Sequence, residues 1–429
     1  MIRLHWFSPL PPDRTDIGHF TNRVLPAFDG KAEMTVWTTT ENPVPPDLPG
    51  VEIRPIEMNG AAIRELNRGD AIFYNLGNHG HFHSDILDAA WRVPGFVILH
   101  EADLQGLFAH YWLERRNDAP AFVAEMARLH GPAGEAFAVA RSRGEDDGPA
   151  ISPYPILAPA LDNALAVICH TQEVEEAARA LDVPVMRIEL AYAASQPVRQ
   201  FDRSGPIRLV QFGYLGPHRR TETVLRALSC QPDPSGFHFH VYGPVWDVGF
   251  IEDLVAELDL TGQVTLHGFV PDAELDAAIG AADMVFNLRF PTIGEASGSQ
   301  LRIWNAAAPS LVSAIGWFAD LPYDTVVKCD PSDDIRAAAD VLSALRVDRT
   351  TYDALGVRGR ERLERYHAPA SYADELIAAA AERGALSRRA ALYRISGRIG
   401  AAADAIFRPG SEPQASAQRR LATRLLESS

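Results

Sequence analysis

Two Rossmann-like α/β domains in series, each built on a parallel sheet, are the fold this sequence predicts, and three observations predict it. The chain is 429 residues long, beyond the roughly 250–300 residues at which a single core stops growing. Short runs rich in Val, Ile and Phe alternate with longer amphipathic stretches along its whole length, the pattern of strands and crossover helices. A polar interruption with proline and glycine, SQPVRQFDRSGP at 195–206, divides that pattern into two periodic blocks.

In the first block the expected strands are IRLHWF (2–7), EMTVWT (33–38), AIFYNL (71–76), GFVILH (95–100) and ALAVICH (164–170). Helical periodicity falls between them at 18–28, 83–92, 119–142 and 172–181. In the second block the strands are IRLVQF (207–212), FHFHVY (237–242), VTLHG (264–268), DMVFNL (283–288) and SLVS (310–313), with helices at 221–229, 249–258, 272–281, 298–308 and 333–344. The acidic run Glu145-Asp146-Asp147 lies between a glycine and a proline-rich stretch and reads as a solvated loop rather than a metal site.

Composition excludes several classes. Forty basic against 56 acidic side chains leave a net charge of −16, with 47% hydrophobic residues and a mean hydropathy of −0.10, values of an ordinary folded protein. The charge is unevenly spread: residues 383–429 hold nine arginines against Asp404, Glu412 and Glu427, a local +6, so the rest of the chain carries −22. An acidic body excludes general nucleic-acid binding, which needs a basic face. Any anion must be met by a few placed cations, nearly all arginine, since Lys31 and Lys328 are the two lysines. Three cysteines show neither a disulfide framework nor metal-ligand spacing, pointing to a reducing compartment. No apolar run approaches the length of a membrane span, and MIRLHWFSPLPPDR lacks a long apolar stretch before its prolines, which argues against a signal peptide. A cytoplasmic protein is expected.

In open parallel sheets ligands bind at the carboxyl ends of strands, and two such loops carry chemistry. QFGYLGPHRR (211–220) offers Gly213 and Gly216 for close approach and then Arg219 and Arg220 at a helix start, a combination suited to a diphosphate. A plain strand-to-helix turn with exposed arginines is the alternative. NLRFPTIGEASGSQLRIWNAAAP (287–309) places Ser297, Gly298 and Ser299 just ahead of an apolar helical stretch, where free N–H groups can meet an anion. Glu295 in the same loop would repel a phosphate and suits sugar hydroxyls better. A nucleotide sugar satisfies both loops.

Together with LHGFVPDAEL, IGWFADLP, FSPLPPDRTDIGHF, YNLGNHGHFH, VILHE and VICHT, these stretches resemble bacterial glycosyltransferases of family 4, over roughly residues 1–382. The resemblance implies the GT-B fold, with an acceptor-side domain (1–195), a donor domain (206–365) and a helix (366–382) returning to the first domain, ahead of the 383–429 tail. It implies metal-independent transfer of a sugar, with retention, from a nucleotide diphosphate donor to a glycan or lipid-linked acceptor hydroxyl, in polysaccharide or glycoconjugate synthesis, with no cofactor beyond that co-substrate.

By the same resemblance Arg219, with Arg220 beside it, binds the diphosphate; Glu295 contacts donor-sugar hydroxyls; Ser297, Gly298 and Ser299 supply N–H donors; and the main chain at Phe269 and Val270 holds the base. His100 stands where a histidine faces the reacting sugar, a structural strand cap being the rival role; His170 reads as structural. Asn78, His81 and His83 lie in a loop that could meet the acceptor. Arg302 stands where the family's ribose-holding glutamate falls. Asp16 stands where a glycine usually approaches the phosphates, leaving Gly18 to provide that approach. These two departures motivate the alternative, a non-catalytic nucleotide-sugar-binding or assembly protein. An epimerase of the same fold is a weaker reading, and the lack of a strand followed by G-x-G-x-x-G, with an acidic residue about 20 positions on, argues against a dehydrogenase. In the tail, Leu386, Leu392, Ile395, Ile399 and Ile406 alternate with Arg388, Arg389, Arg394 and Arg398, giving either peripheral membrane contact or docking on the acidic body.

Overall fold

A computed structural model describes residues 1–145, 153–195 and 203–392. The first domain runs β1 (Ile2–Phe7), α1 (Asp16–Val24), β2 (Ala32–Thr38), β3 (Glu52–Pro55), α2 (Gly60–Leu66), β4 (Ala71–Leu76), α3 (Gly80–Arg92), β5 (Gly95–Leu99), α4 (Gln105–Ala109), α5 (Ala119–Ser142), β6 (Ala164–Cys169), α6 (Gln172–Arg179) and β7 (Val185–Arg187). Its strands form one parallel sheet in the order 3-2-1-4-5-6-7. Successive residues supply opposite faces: Trp6, Phe73, Phe96 and Ile98 enter one core, Phe7, Tyr74 and Val97 the other, all buried. Burial on both faces explains why these strands read as unbroken apolar runs.

The second domain repeats the plan with β8 (Ile207–Phe212), α7 (Thr221–Ser229), β9 (Phe237–Tyr242), α8 (Val248–Glu257), β10 (Val264–Gly268), α9 (Asp272–Ala281), β11 (Met284–Asn287), α10 (Gly298–Asn305), β12 (Ser310–Ser313), α11 (Trp317–Asp320), β13 (Val327–Cys329) and α12 (Asp334–Val347). Its parallel order is 10-9-8-11-12-13. Two further helices follow, α13 (Asp353–Tyr366) and α14 (Pro369–Ala381). Proline opens α14, where a missing N–H costs nothing. Helix α14 packs against α1: the Tyr372 ring lies 5.6 Å from Phe20 and 5.8 Å from His170, and Lys31 pairs with Asp374 at 2.6 Å.

Strands β3, β7 and β13 went unread in the sequence. All three are edge strands of three or four residues, exposed or half-buried along much of their length, so they carry no apolar run. Helices α2, α4, α11 and α13 were likewise unread. The expected helix at 18–28 divides, because Pro26 turns its second half into a 3-10 turn, Leu25–Phe28. Helix α5 kinks at Gly131, φ +63°, ahead of Pro132. Asp146, Asp147 and residues 393–429, and with them most of the basic tail, lie outside the described residues. Residues 383–392 are helical; there Leu386 packs on the core and Arg383 donates to the Gly69 carbonyl. No helix among the described residues is long and apolar enough to cross a membrane.

Candidate functional site

Strand order reverses between β1 and β4 in one sheet and between β8 and β11 in the other. Such switch points open a crevice at the strands' carboxyl ends. The loops leaving β8 and β11 carry Arg219 and Arg289; those leaving β1, β4 and β5 carry Asp16, Gly77 and Glu101. The two sets meet. Ala102 N–H donates to the Ile293 carbonyl (2.9 Å) and Thr171 Oγ1 to the Gly294 carbonyl (2.8 Å). The Arg14 guanidinium lies 5.0 Å from the Phe269 ring centre.

Arg219 is buried beneath this cleft. Its Nη2 donates to the Phe212 carbonyl (3.0 Å) and to Asn287 Oδ1 (3.2 Å); Asn287 in turn donates to Gln300 Oε1 (3.0 Å) and Gln300 to Ser310 Oγ (2.8 Å). The guanidinium is thus fixed by a chain of side chains running under β11 and α10. Arg289 stands beside it and ion-pairs with Glu295; their side chains are 14% and 15% exposed. The Nε atoms of Arg219 and Arg289 are buried without a hydrogen-bond partner among the described residues, donors left for something the chain itself does not supply. Burial lowers Arg219 to about 10, opposed by Asp16. Burial and Arg219 lower Arg289 to about 9, opposed by Asp16 and Glu101. Both remain cations at neutral pH. Burial and these two guanidiniums push His218 down to about 4.

Glu295 is locked in place: its Oε2 accepts from Thr292 Oγ1 (2.9 Å) and Ile293 N–H (3.0 Å), and its other oxygen faces Arg289. Ser297 caps α10, Oγ accepting from Gln300 N–H (3.1 Å). A Cβ on Gly298 would meet nothing within 4 Å, so the helix start is open at Gly298 and Ser299. Gly213, at φ +111°, lies against the Arg219 guanidinium. Phe269 is 72% exposed, while Val270 packs on the core beside α9.

Several expected residues turn elsewhere. Arg220 adopts a left-handed conformation (φ +58°) that swings it away, onto Asp334 of α12 at 2.7 and 3.1 Å. Arg302 is tied to α9 by Asp276 (2.6 Å) and Asp272 (3.0 Å). Gly18 is buried against Pro9 and Leu10, its N–H already taken by the capping Thr15 (3.3 Å), so it gives no open approach to a phosphate. His83 lies on α3 and is buried with Nδ1 on the Asn75 carbonyl (3.1 Å) and Nε2 turned toward Gly77, and the Asn78 side-chain oxygen caps α4 by accepting from Gly106 and Leu107 N–H (2.6 and 3.2 Å). His100 donates from Nε2 to Asn75 Oδ1 (3.1 Å) and its ring lies 5.1 Å from Phe20 and 5.2 Å from His170. His170, buried, meets the Ile188 carbonyl (3.0 Å). The sequence did not single out Arg289 and Glu101, although each stands two positions beyond a buried strand.

The sequence matches no model of a known protein family and no curated protein. Among solved structures the chain is similar to Anabaena HepE in complex with UDP (TM-score 0.57, 12% identity, 88% of this chain and 100% of that one). It is similar to a sucrose-phosphate synthase from Thermosynechococcus elongatus (0.60, 15%, 88% and 98%) and to WaaG, a glycosyltransferase involved in lipopolysaccharide biosynthesis (0.52, 13%, 87% and 99%). At these identities the likeness establishes the fold: two Rossmann-like domains in the GT-B arrangement.

Proposed function

We propose that the chain is a glycosyltransferase that moves a sugar from a nucleotide diphosphate donor to an acceptor hydroxyl, with retention and without a metal, in glycan or glycoconjugate synthesis. The observation that carries this reading is the pair of buried guanidiniums, Arg219 and Arg289, with unpartnered Nε atoms beside the open start of α10. Two fixed cations and a helix N-terminus in one crevice suit a diphosphate. HepE, of the same fold, is seen with UDP and with UDP-glucose. Breaking the sugar–phosphate bond leaves negative charge on the nucleotide, which these groups meet without reorganising. Glu295, clamped by Arg289 and by Ile293 N–H, faces the sugar hydroxyls, and His100 the reacting ring. The uncovered ring of Phe269 borders the base.

Arg219→Ala is expected to lower turnover of a nucleotide sugar by about 10²–10³-fold with the circular-dichroism spectrum and melting curve retained. Near-normal turnover would sink the assignment. Asp16, facing both arginines from the first domain, favours a second reading, a nucleotide-sugar-binding protein without turnover. Tight UDP binding with neither hydrolysis nor transfer would select it.

A further inference from the structure

We infer that Glu101 takes the proton from the incoming acceptor hydroxyl, which deepens the transfer reading above and rests on it. The carboxyl stands two residues beyond β5, at the mouth of the first domain's crevice. One oxygen is held, Oε2 accepting from Asn78 N–H at 2.8 Å, so the loop expected to meet an acceptor acts instead by aiming Glu101. The other, Oε1, accepts no hydrogen bond among the described residues and lies over Gly77, where an added Cβ would come within 3.7 Å of it. The neighbouring residue, Ala102, is bonded across the cleft to Ile293, which brings the Glu101 loop onto the loop of Arg289 and Glu295.

Other polar groups at this end are less suited. His83 turns Nε2 toward Gly77, but burial holds it down at about 4, a weak proton acceptor, and the Asn78 amide is no base. His100 keeps a free Nδ1, but burial, with His170 and His83 nearby, holds it well below 6.5, a weak proton acceptor. The groups facing Glu101 come from four elements: Asp16 of α1, Asp103 of its own loop, Arg289 after β11 and His83 of α3, whose Nε2 would sit 3.2 Å from that same Cβ. Burial first, then Asp103 and Asp16, raise Glu101 to about 7 against the pull of Asn78 N–H and Arg289. A carboxyl so placed is partly ionised at neutral pH, the condition for a general base.

In the step, the acceptor oxygen forms a bond to the anomeric carbon as the bond from that carbon to the phosphate oxygen breaks. The electron pair of the broken bond stays with the nucleotide diphosphate beside Arg219 and Arg289. The hydroxyl proton passes to Glu101. Because Glu101 neighbours the phosphate-binding Arg289, attack comes from the face the nucleotide leaves, and the configuration is retained.

The test uses the full chain, a panel of UDP- and GDP-sugars with water as acceptor, and equilibrium binding of UDP and GDP. For the wild type, kcat/KM should climb tenfold per pH unit below about 7 and level off above it. Glu101→Gln should lose about 10²–10⁴-fold on the plateau together with the acid limb, at a nucleotide Kd within twofold of wild type. Glu101→Asp should keep the limb at a reduced rate. Wild-type rate and limb in Glu101→Gln would overturn this role and leave the transfer reading standing. Loss of nucleotide affinity in both variants would assign Glu101 to the fold and also overturn it. A wild-type chain that neither binds nucleotide nor cleaves any donor would overturn both.

Discussion

The chemistry of the cleft turns on charges that few residues hold against burial. Arg219 and Arg289 are like charges side by side in a chain whose net charge is −16, tolerable because Glu295 pairs with one and Asp16 and Glu101 face them from the other domain. Asp16 therefore offsets the two guanidiniums, and on the proposed reading it competes with an incoming diphosphate. Asp16→Asn keeps the shape and removes the charge. Even screened as in bulk water, one unit charge about 4 Å away is worth about 1 kcal/mol, so UDP is expected to bind at least roughly fivefold more tightly, most clearly at low salt. Titration calorimetry checks this, and unchanged or weaker binding would remove Asp16 from the phosphate field. Arg220, one residue from Arg219, shows how little a side chain's identity says about its direction: a left-handed backbone turn sends it to Asp334 instead.

At the scale of elements, the crossing of the β8 and β9 loops shapes the crevice proposed to take the diphosphate. Gly243 sits at φ +107° with its missing Cβ only 2.1 Å from the Gly213 carbonyl, so only glycine lets the two strand ends lie together. Gly243→Ala is expected to cost about 2–4 kcal/mol in denaturant unfolding and to displace the Gly213–Arg219 turn. Gly298→Ala, with open space around it, should leave stability within about 0.5 kcal/mol yet weaken UDP binding by filling the helix start. A pair of variants with the reverse pattern would contradict this geometry. The same scale explains what could be read beforehand. Central strands such as AIFYNL are buried on both sides and announce themselves by composition, and the loops after β8 and β11 could be found because strand ends are where parallel sheets bind. The short edge strands β3, β7 and β13, half in water, left no such trace. Neither did Arg289 or Glu101: a charge just past an apolar run has the same appearance whether it faces solvent or a partner on another domain, and only the pairing of the two sheets decides.

For the whole molecule, the return of α14 to the first domain makes the core continuous between the halves. Tyr372 closes over Phe20 and His170, and Trp304 and Leu363 of the second half share a cluster with Trp6 and Phe20. The halves also meet at the loops of the candidate site, where Ala102 N–H and Thr171 Oγ1 donate to the carbonyls of Ile293 and Gly294. Those carbonyls belong to the main chain, so no side-chain replacement in that loop removes the grip. On the transfer reading proposed above, a spent nucleotide must wait for it to loosen, and departure of the product is expected to be the slow event of each cycle, as in enzymes that close over their ligands. Turnover should fall in proportion to solvent viscosity when sucrose is added; a rate indifferent to viscosity would place the slow event in bond breaking.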